Sequence, residues 1–444
     1  MNHVHYIHAI AGLAVLGGIG ASAAPAAIAA TTSSVTVTNC NDSGTGSLRA
    51  AAAIAPSGGM IDLRGLRCSV VSLQRQILLP QHDLRLLGHQ SLTIDANRNG
   101  RVFQHTGTGK LYISGLTLAN GLDFVQSAAG GCLRSAGDVE LRHVRIHHCD
   151  ASGRTPPDWE GVGTGSFANG GGVFASGHVL LADSVLEFNN AGAFSATGGG
   201  VSARTLTIFR SRLHGNTASF GGGAYSGNMK ALFASVDGNT ARDGGGLYVF
   251  GNAFIHRSTI ALNVGYEHCG GICIEHGDDS DIVDSTLSGN RAGDASAAGL
   301  SGHVSIHNST IAFNRVQAGI EAAASTGGSA VTPWLSPFQL HIESSIVAAN
   351  PNAIDIGGFA SDTLDGADNL IGTSALRLPA DTLRGDPGLR ALSWNGGPTP
   401  THALVAGSAA IDRGNNALGL AYDQRDVGYP RVKSVRTDIG AYER

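Results

Sequence analysis

Short alternations of apolar and polar residues run along most of this chain, interrupted at regular intervals by glycine and asparagine. Asp281-Ile282-Val283-Asp284 precedes Ser285-Thr286-Leu287, and Val304-Ser305-Ile306 precedes Ser309-Thr310-Ile311-Ala312. Each such run predicts a strand with one apolar face. A third strand follows every glycine cluster: Gly170-Gly171-Gly172-Val173-Phe174, Gly198-Gly199-Gly200-Val201, Gly221-Gly222-Gly223-Ala224-Tyr225, Gly244-Gly245-Gly246-Leu247-Tyr248 and Cys269-Gly270-Gly271-Ile272. Asparagine closes the units at Asn189, Asn216, Asn239, Asn263, Asn290 and Asn314, in steps of 27, 23, 24, 27 and 24 residues. A period of this size marks a stack of units, none of which can bury its apolar face alone. Three short strands per period, without room for helices, predict an all-β fold. It is a right-handed parallel β-helix whose coils rise by about 4.8 Å.

In such a rod the most regular residues are scaffold. Stacked asparagines hydrogen-bond amide to amide, satisfying buried groups that would otherwise cost about 1–3 kcal/mol each. The glycines supply positive φ and let successive backbones approach. Both ends depart from the rhythm. Residues 31–59 form an N-terminal cap, with a short Ala-rich helix behind Ser47 as its N-cap. Such a lid covers strand edges that would otherwise template aggregation. The β-helix spans 60–364, and residues 365–444, where Pro, Asp and Arg replace the Gly-Asn rhythm, form an irregular C-terminal cap. Register is lost over 316–337, around Pro333-Trp334-Leu335-Ser336-Pro337. This predicts a loop excursion before a last coil that ends at Asn350.

Composition narrows the setting. Gly is 64 of 444 residues, about twice the usual share, yet Pro is only 13, which excludes collagen. A net charge of −5 leaves no basic footprint for nucleic acid. Residues 1–30 read as a signal peptide, with an apolar stretch over 9–23 and Ala27-Ile28-Ala29 as the cleavage site. No transmembrane span follows its removal, so a monomer that is secreted or on the cell surface is expected. Six cysteines, Cys40, Cys68, Cys132, Cys149, Cys269 and Cys273, permit three disulfides of undetermined connectivity. Cys40 and Cys68 bracket the first helix, and Cys132 and Cys149 bracket one repeat. A turn at Gly270-Gly271 could join Cys269 to Cys273, which a straight strand would hold about 13 Å apart.

Gly44-Thr45-Gly46-Ser47-Leu48-Arg49-Ala50-Ala51 resembles the start of bacterial secreted β-helix proteins of the pectate-lyase-like solenoid class. The Gly-Gly-Gly-apolar repeats resemble those of polymorphic outer-membrane proteins. The C-terminal succession runs from Asn395-Gly396-Gly397-Pro398-Thr399-Pro400-Thr401-His402-Ala403-Leu404 through Gly407-Ser408-Ala409-Ala410-Ile411-Asp412 and Asp423-Gln424-Arg425 to Asp438-Ile439-Gly440-Ala441-Tyr442-Glu443. It is similar to the choice-of-anchor Q domain of exported bacterial β-helix proteins, although Asp426 stands where that family usually has Gly. The resemblance implies an exported surface or extracellular protein and brings no catalytic residues. Physically, Asp412, Asp423, Arg425 and Asp438 are expected to form ion pairs that fix the cap.

Candidate chemistry lies where the rhythm breaks. The densest polar cluster holds Glu267, His268, Glu275 and His276 as acid-base candidates and Asp278, Asp279 and Asp281 as cation ligands. Against this, Gly277-Asp278-Asp279-Ser280 sits where other repeats turn. No cofactor is required, and calcium is the cation left open. By alternation His143, Arg145 and His147 share one strand face, and Trp159 and Glu160 sit in a loop able to present an aromatic sugar platform. The expected partner is a polysaccharide or cell-surface glycan. The favoured reading is a non-enzymatic exported β-helix for adhesion or glycan binding, with a polysaccharide lyase or glycoside hydrolase as the alternative.

Overall fold

The computed structural model describes residues 33–153, 166–293, 295–316 and 328–444. The predicted signal segment, Trp159 and Glu160, and residues 317–327 lie outside the described residues. The strand ladders are parallel, and the chain winds as a parallel β-helix. One face is a 12-stranded sheet of short strands. In its central column Ile146, Leu186, Leu213, Val236, Ile260, Leu287, Ile311 and Val347 stack coil upon coil in direct register. All are buried. Alternation therefore does what the pattern predicts here: the middle residue of each strand points into the rod.

The face that follows the glycine clusters is longer than the alternation suggests. Val173–Ala182, Val201–Phe209, Ala224–Leu232 and Ile272–Val283 run from the glycines to the next corner as single strands. In these coils what reads as two strands is one, with register shifts along Val173–Ala182 and Ile272–Val283, whereas Leu247–Val249 and Ala253–His256 remain separate. Pro333–Pro337 likewise belongs to the strand Ser329–Glu343 and not to a loop excursion. Stacking also starts earlier than residue 60, because Ser34–Thr36 pairs with Gly59–Asp62. The helix Leu48–Ile54, capped by Ser47, which accepts a hydrogen bond from the Ala50 N–H, buries Leu48, Ala51 and Ala52.

Two polar ladders hold the corners. Asn189, Asn216, Asn239, Asn263, Asn290, Asn314 and Asn350 are joined amide to amide at 2.9–3.0 Å. Each side-chain oxygen also accepts the backbone N–H of the preceding rung. Cys149 occupies the next rung, its N–H donating to Asn189 Oδ1, and is bonded to Cys132. The other two disulfides join Cys40 to Cys68 and Cys269 to Cys273. The second ladder has no counterpart in the sequence reading. Backbone N–H groups of Ser184, Ser258, Ser285 and Ser309 donate to the hydroxyls of Ser211, Ser285, Ser309 and Ser345. The residue before each rung of both ladders turns through positive φ, for example Leu262 at 59° and Asp284 at 46°. At the third corner Gly221 has φ +65°, and a Cβ there would lie 2.1 Å from the Ala224 carbonyl oxygen; at Gly222 it would lie 2.4 Å from that of Gly245. Where three glycines stand in a row the backbones pass too closely for side chains; two later coils depart from this, with Cys269 at φ 48° in the first position and Ala295 and Ala297 in the coil after it.

Residues 395–444 do not close the end of the rod. They fold back along its flank and cover the 12-stranded sheet. Gln424 is fully buried there, accepting from Thr286 Oγ1 at 2.6 Å and donating to Thr259 Oγ1 at 2.9 Å. His402 meets Ser288 Oγ at 2.8 Å, and the Ala441 N–H donates to Thr310 Oγ1. Asp423 pairs with Arg425, whose guanidinium lies between the rings of Tyr429 and Tyr442 at 4.0 and 3.8 Å. Asp438 instead accepts the backbone N–H groups of Asp412 and Arg444. The outward residues in the covered coils are Thr259, Thr286 and Thr310; at the matching position earlier coils carry Thr93, Thr117, Arg145, Val185, Arg212 and Ser235. An uncharged outward row is what a covered face needs.

Two outcomes are expected. Asn239→Ala strands the Asn216 amide groups and the Leu213 carbonyl inside the rod, and it should cost on the order of 3 kcal/mol in denaturant unfolding; a loss below about 1 kcal/mol would contradict the ladder's role. Burial pushes Asp284 up to about 7 against the pull of Arg431 and Arg257, and burial likewise pushes Glu443 up to about 7. Both acids then hold protons in the folded state that the unfolded chain releases near pH 4, so their stabilisation is full below that pH and is lost as pH rises through about 7. Melting temperature should fall over that window, and Asp284→Asn should flatten part of the slope.

Candidate functional site

The glycine corner brings two outward-facing rows together. On the long-strand side Phe174, Ser202, Tyr225, Tyr248 and Cys273 are in register across successive coils. On the other side run Thr197, Phe220, Asp243 and His268. Both rows point away from the core, yet they touch: Thr197 and Ser202 hydroxyls lie 3.0 Å apart and Phe220 meets Tyr248 edge-on at 5.5 Å, while the corner residue Cys269 is bonded to Cys273. The two rows pack on each other as a seam along the rod, in which Asp243, Tyr248 and Cys273 are buried.

Its middle is aromatic and its margins are charged. Tyr225 and Tyr248 stack with an 18° interplanar angle and centroids 5.5 Å apart, the spacing of adjacent coils in register. The Arg242 guanidinium lies 4.5 Å from the Phe220 centroid and pairs with Asp243 at 2.9 Å and Glu267 at 3.7 Å. Tyr248 donates to Glu275 Oε2 at 2.6 Å, and burial together with that carboxylate pushes its phenol pKa up. Burial, then Glu275, does the same to Tyr225. Asp243 is almost wholly buried, which raises its carboxyl above the ordinary range despite Arg242, and its Oδ1 makes no hydrogen bond. Ligand atoms of Asp243, Glu267 and His268 lie within 4.8 Å of one another.

The predicted polar cluster is thus divided. Glu267, His268 and Glu275 line the seam, while His276 packs on Phe250 with ring centroids 4.7 Å apart. Asp278 and Asp279 are exposed on the strand Ile272–Val283, which bulges there and does not turn. Asp281 is bound to His256 Nε2 at 2.6 Å, so the three aspartates form no common cation site. The groups of three metal-capable side chains among the described residues are Asp243, Glu267, His268 and, elsewhere, His307, His341, Glu343. Arg145 and His147 share the outer face beside buried Ile146, whereas His143 sits in a corner at φ 52°; Arg145 is held by Glu187 at 2.6 Å and His147 contacts His148.

No protein-family model matches the chain, and no curated protein does. Among solved structures it is similar to the crystal structure of pectate lyase Pel9A, with a TM-score of 0.45 and 11% identity over 93% of this chain and 98% of that one. The parallel β-helix of the present chain is read from its own strand pairing.

Phe220, Tyr225, Arg242, Asp243 and Tyr248 were absent from the residues that sequence singled out. The signal was available in part: Tyr225 and Tyr248 occupy the same place after successive glycine clusters. Phe220 and Asp243 precede those clusters directly, and only the packing of the two rows at the corner joins them to the tyrosines.

Proposed function

We propose that this protein is an exported, non-enzymatic β-helix that binds an extended glycan along the glycine-corner seam. The observation that carries the reading is the stack of Tyr225 on Tyr248 with Phe220 against them, flanked by Arg242, Glu267 and Glu275. Aromatic faces bind the apolar faces of sugar rings, and charged margins supply hydrogen bonds to hydroxyls. Asp243, Glu267 and Glu275 outnumber Arg242, which favours a neutral or amino-sugar polymer over a polyanion. Export is supported by three disulfides, which persist in oxidising compartments, and by the A-x-A leader and the likeness to choice-of-anchor Q domains.

One observation favours a second reading, glycoside hydrolysis. Asp243 is a buried acid with a raised pKa, and its carboxylate lies within 4.8 Å of that of Glu267. Retaining glycosidases separate a proton donor and a nucleophile by about 5 Å. Affinity electrophoresis through neutral glucans, amino-sugar polymers, pectin and alginate, with and without calcium, tests both. A neutral or amino-sugar polymer should retard the protein, and Tyr225→Ala should weaken that retardation at least about tenfold, equivalent to about 1.4 kcal/mol. Unchanged retardation in that variant would sink the seam as the site. New reducing ends that vanish in Asp243→Asn while binding persists would establish the hydrolase instead.

A further inference from the structure

At the other edge of the long-strand face, three coils place imidazoles and carboxylates on the outer surface in register. His307 pairs with Glu343 in the ladder, and His341 with both Ser305 and Asp365. His307 Nδ1 lies 3.6 Å from Glu343 Oε2, and His341 Nε2 lies 3.5 Å from the same oxygen. One ligand atom from each of the three side chains lies within 4.8 Å of the other two. All three side chains are partly buried, at 12%, 33% and 18% exposure for His307, His341 and Glu343.

We propose that His307, His341 and Glu343 form a binding site for a divalent transition-metal ion of the zinc class. Two imidazoles and a carboxylate are the donor set such an ion takes when one coordination position is left to water or a ligand. Bonds of about 2.0–2.1 Å in tetrahedral geometry set ligand atoms about 3.4 Å apart, so the two measured spacings need close by only a few tenths of an ångström. The surroundings fit as well. His341 Nδ1 is 2.7 Å from Asp365 Oδ1, which turns Nε2 toward Glu343. Glu343 Oε1 accepts from Asn415 Nδ2 at 3.0 Å, leaving Oε2 for the ion, and Asn415 is itself held by Asp368 at 2.8 Å. Outer partners of this kind orient ligands and strengthen a site 10–100-fold. Hard, oxygen-seeking calcium is not suited to two imidazoles.

The test uses the full chain without an affinity tag, stripped with chelator and titrated with zinc chloride by calorimetry. One equivalent should bind. His307→Ala and His341→Ala should each weaken binding at least about 100-fold, and Asp365→Asn, on an exposed side chain that leaves the ligands in place, about 10–100-fold. Unchanged melting curves of the metal-free variants show that the fold is kept. The proposal is overturned by the absence of saturable binding, by equal affinity in the His307→Ala/His341→Ala double variant, which retains His3, His5 and His8, or by calcium displacing zinc at equal concentration.

Discussion

Every coil must turn out of its sheet at the same three places, and at each turn backbone amides leave the strand ladder while still sandwiched between neighbouring coils. Water cannot reach them there, and an unmatched buried N–H costs about 1–3 kcal/mol. The rest of the rod depends on how these amides are met. At one corner asparagine meets them, at the second serine, and at the third glycine lets backbone reach backbone directly. Non-glycine residues at positive φ are held at the first two corners, and the ladder bonds offset that local strain. Once the corners are set, the short strands of the 12-stranded sheet are in register, the long strands take up extra residues in bulges, and alternation decides what faces in.

This explains which parts of the structure were legible in the sequence. Asparagine and the glycine triads recur at one place per coil, and few other roles for them would recur so regularly. The serine ladder does the same work but is written in a common residue, and Ala234 breaks its run by donating to Ser258 with no hydroxyl of its own. The long strands were hidden because bulges absorb the extra residues that look like turns. The same bulge separates Asp278 and Asp279 from Asp281, so proximity along the chain did not become proximity in space. Conversely, Asp243 and Glu267 are far apart in sequence and close at the corner, because one coil of chain returns to the same place.

The C-terminal segment obeys a different rule. Without a period it has no register to inherit, so its position depends on particular contacts: Gln424 among three threonines, Arg257 with Asp426, and Arg431 with Asp284. Asp423-Gln424-Arg425 therefore acts as a clamp, with Gln424 facing the rod and its two charged neighbours closing on each other. The covered coils suit this partner, since the residues they turn toward it, Thr259, Thr286 and Thr310, are uncharged.

That arrangement also bears on where a ligand can approach. The flank segment covers the sheet between the serine and asparagine corners, while the seam lies at the glycine corner, beyond the reach of those contacts. Glycine stands there in the coils at 170–172, 198–200, 221–223 and 244–246, where backbones pass too closely for a Cβ, and the two outward rows meet beside it. The seam is thus a by-product of how the corner satisfies its amides. The pair of side chains on either side of the glycines differs from coil to coil: Thr197 with Ser202 in one coil, Phe220 with Tyr225 in the next and Asp243 with Tyr248 after that, and in the following coil Cys269 takes the place of the first glycine and is bonded to Cys273. The residues that vary along the seam are thus distinct from the asparagines and serines whose ladders hold the other two corners.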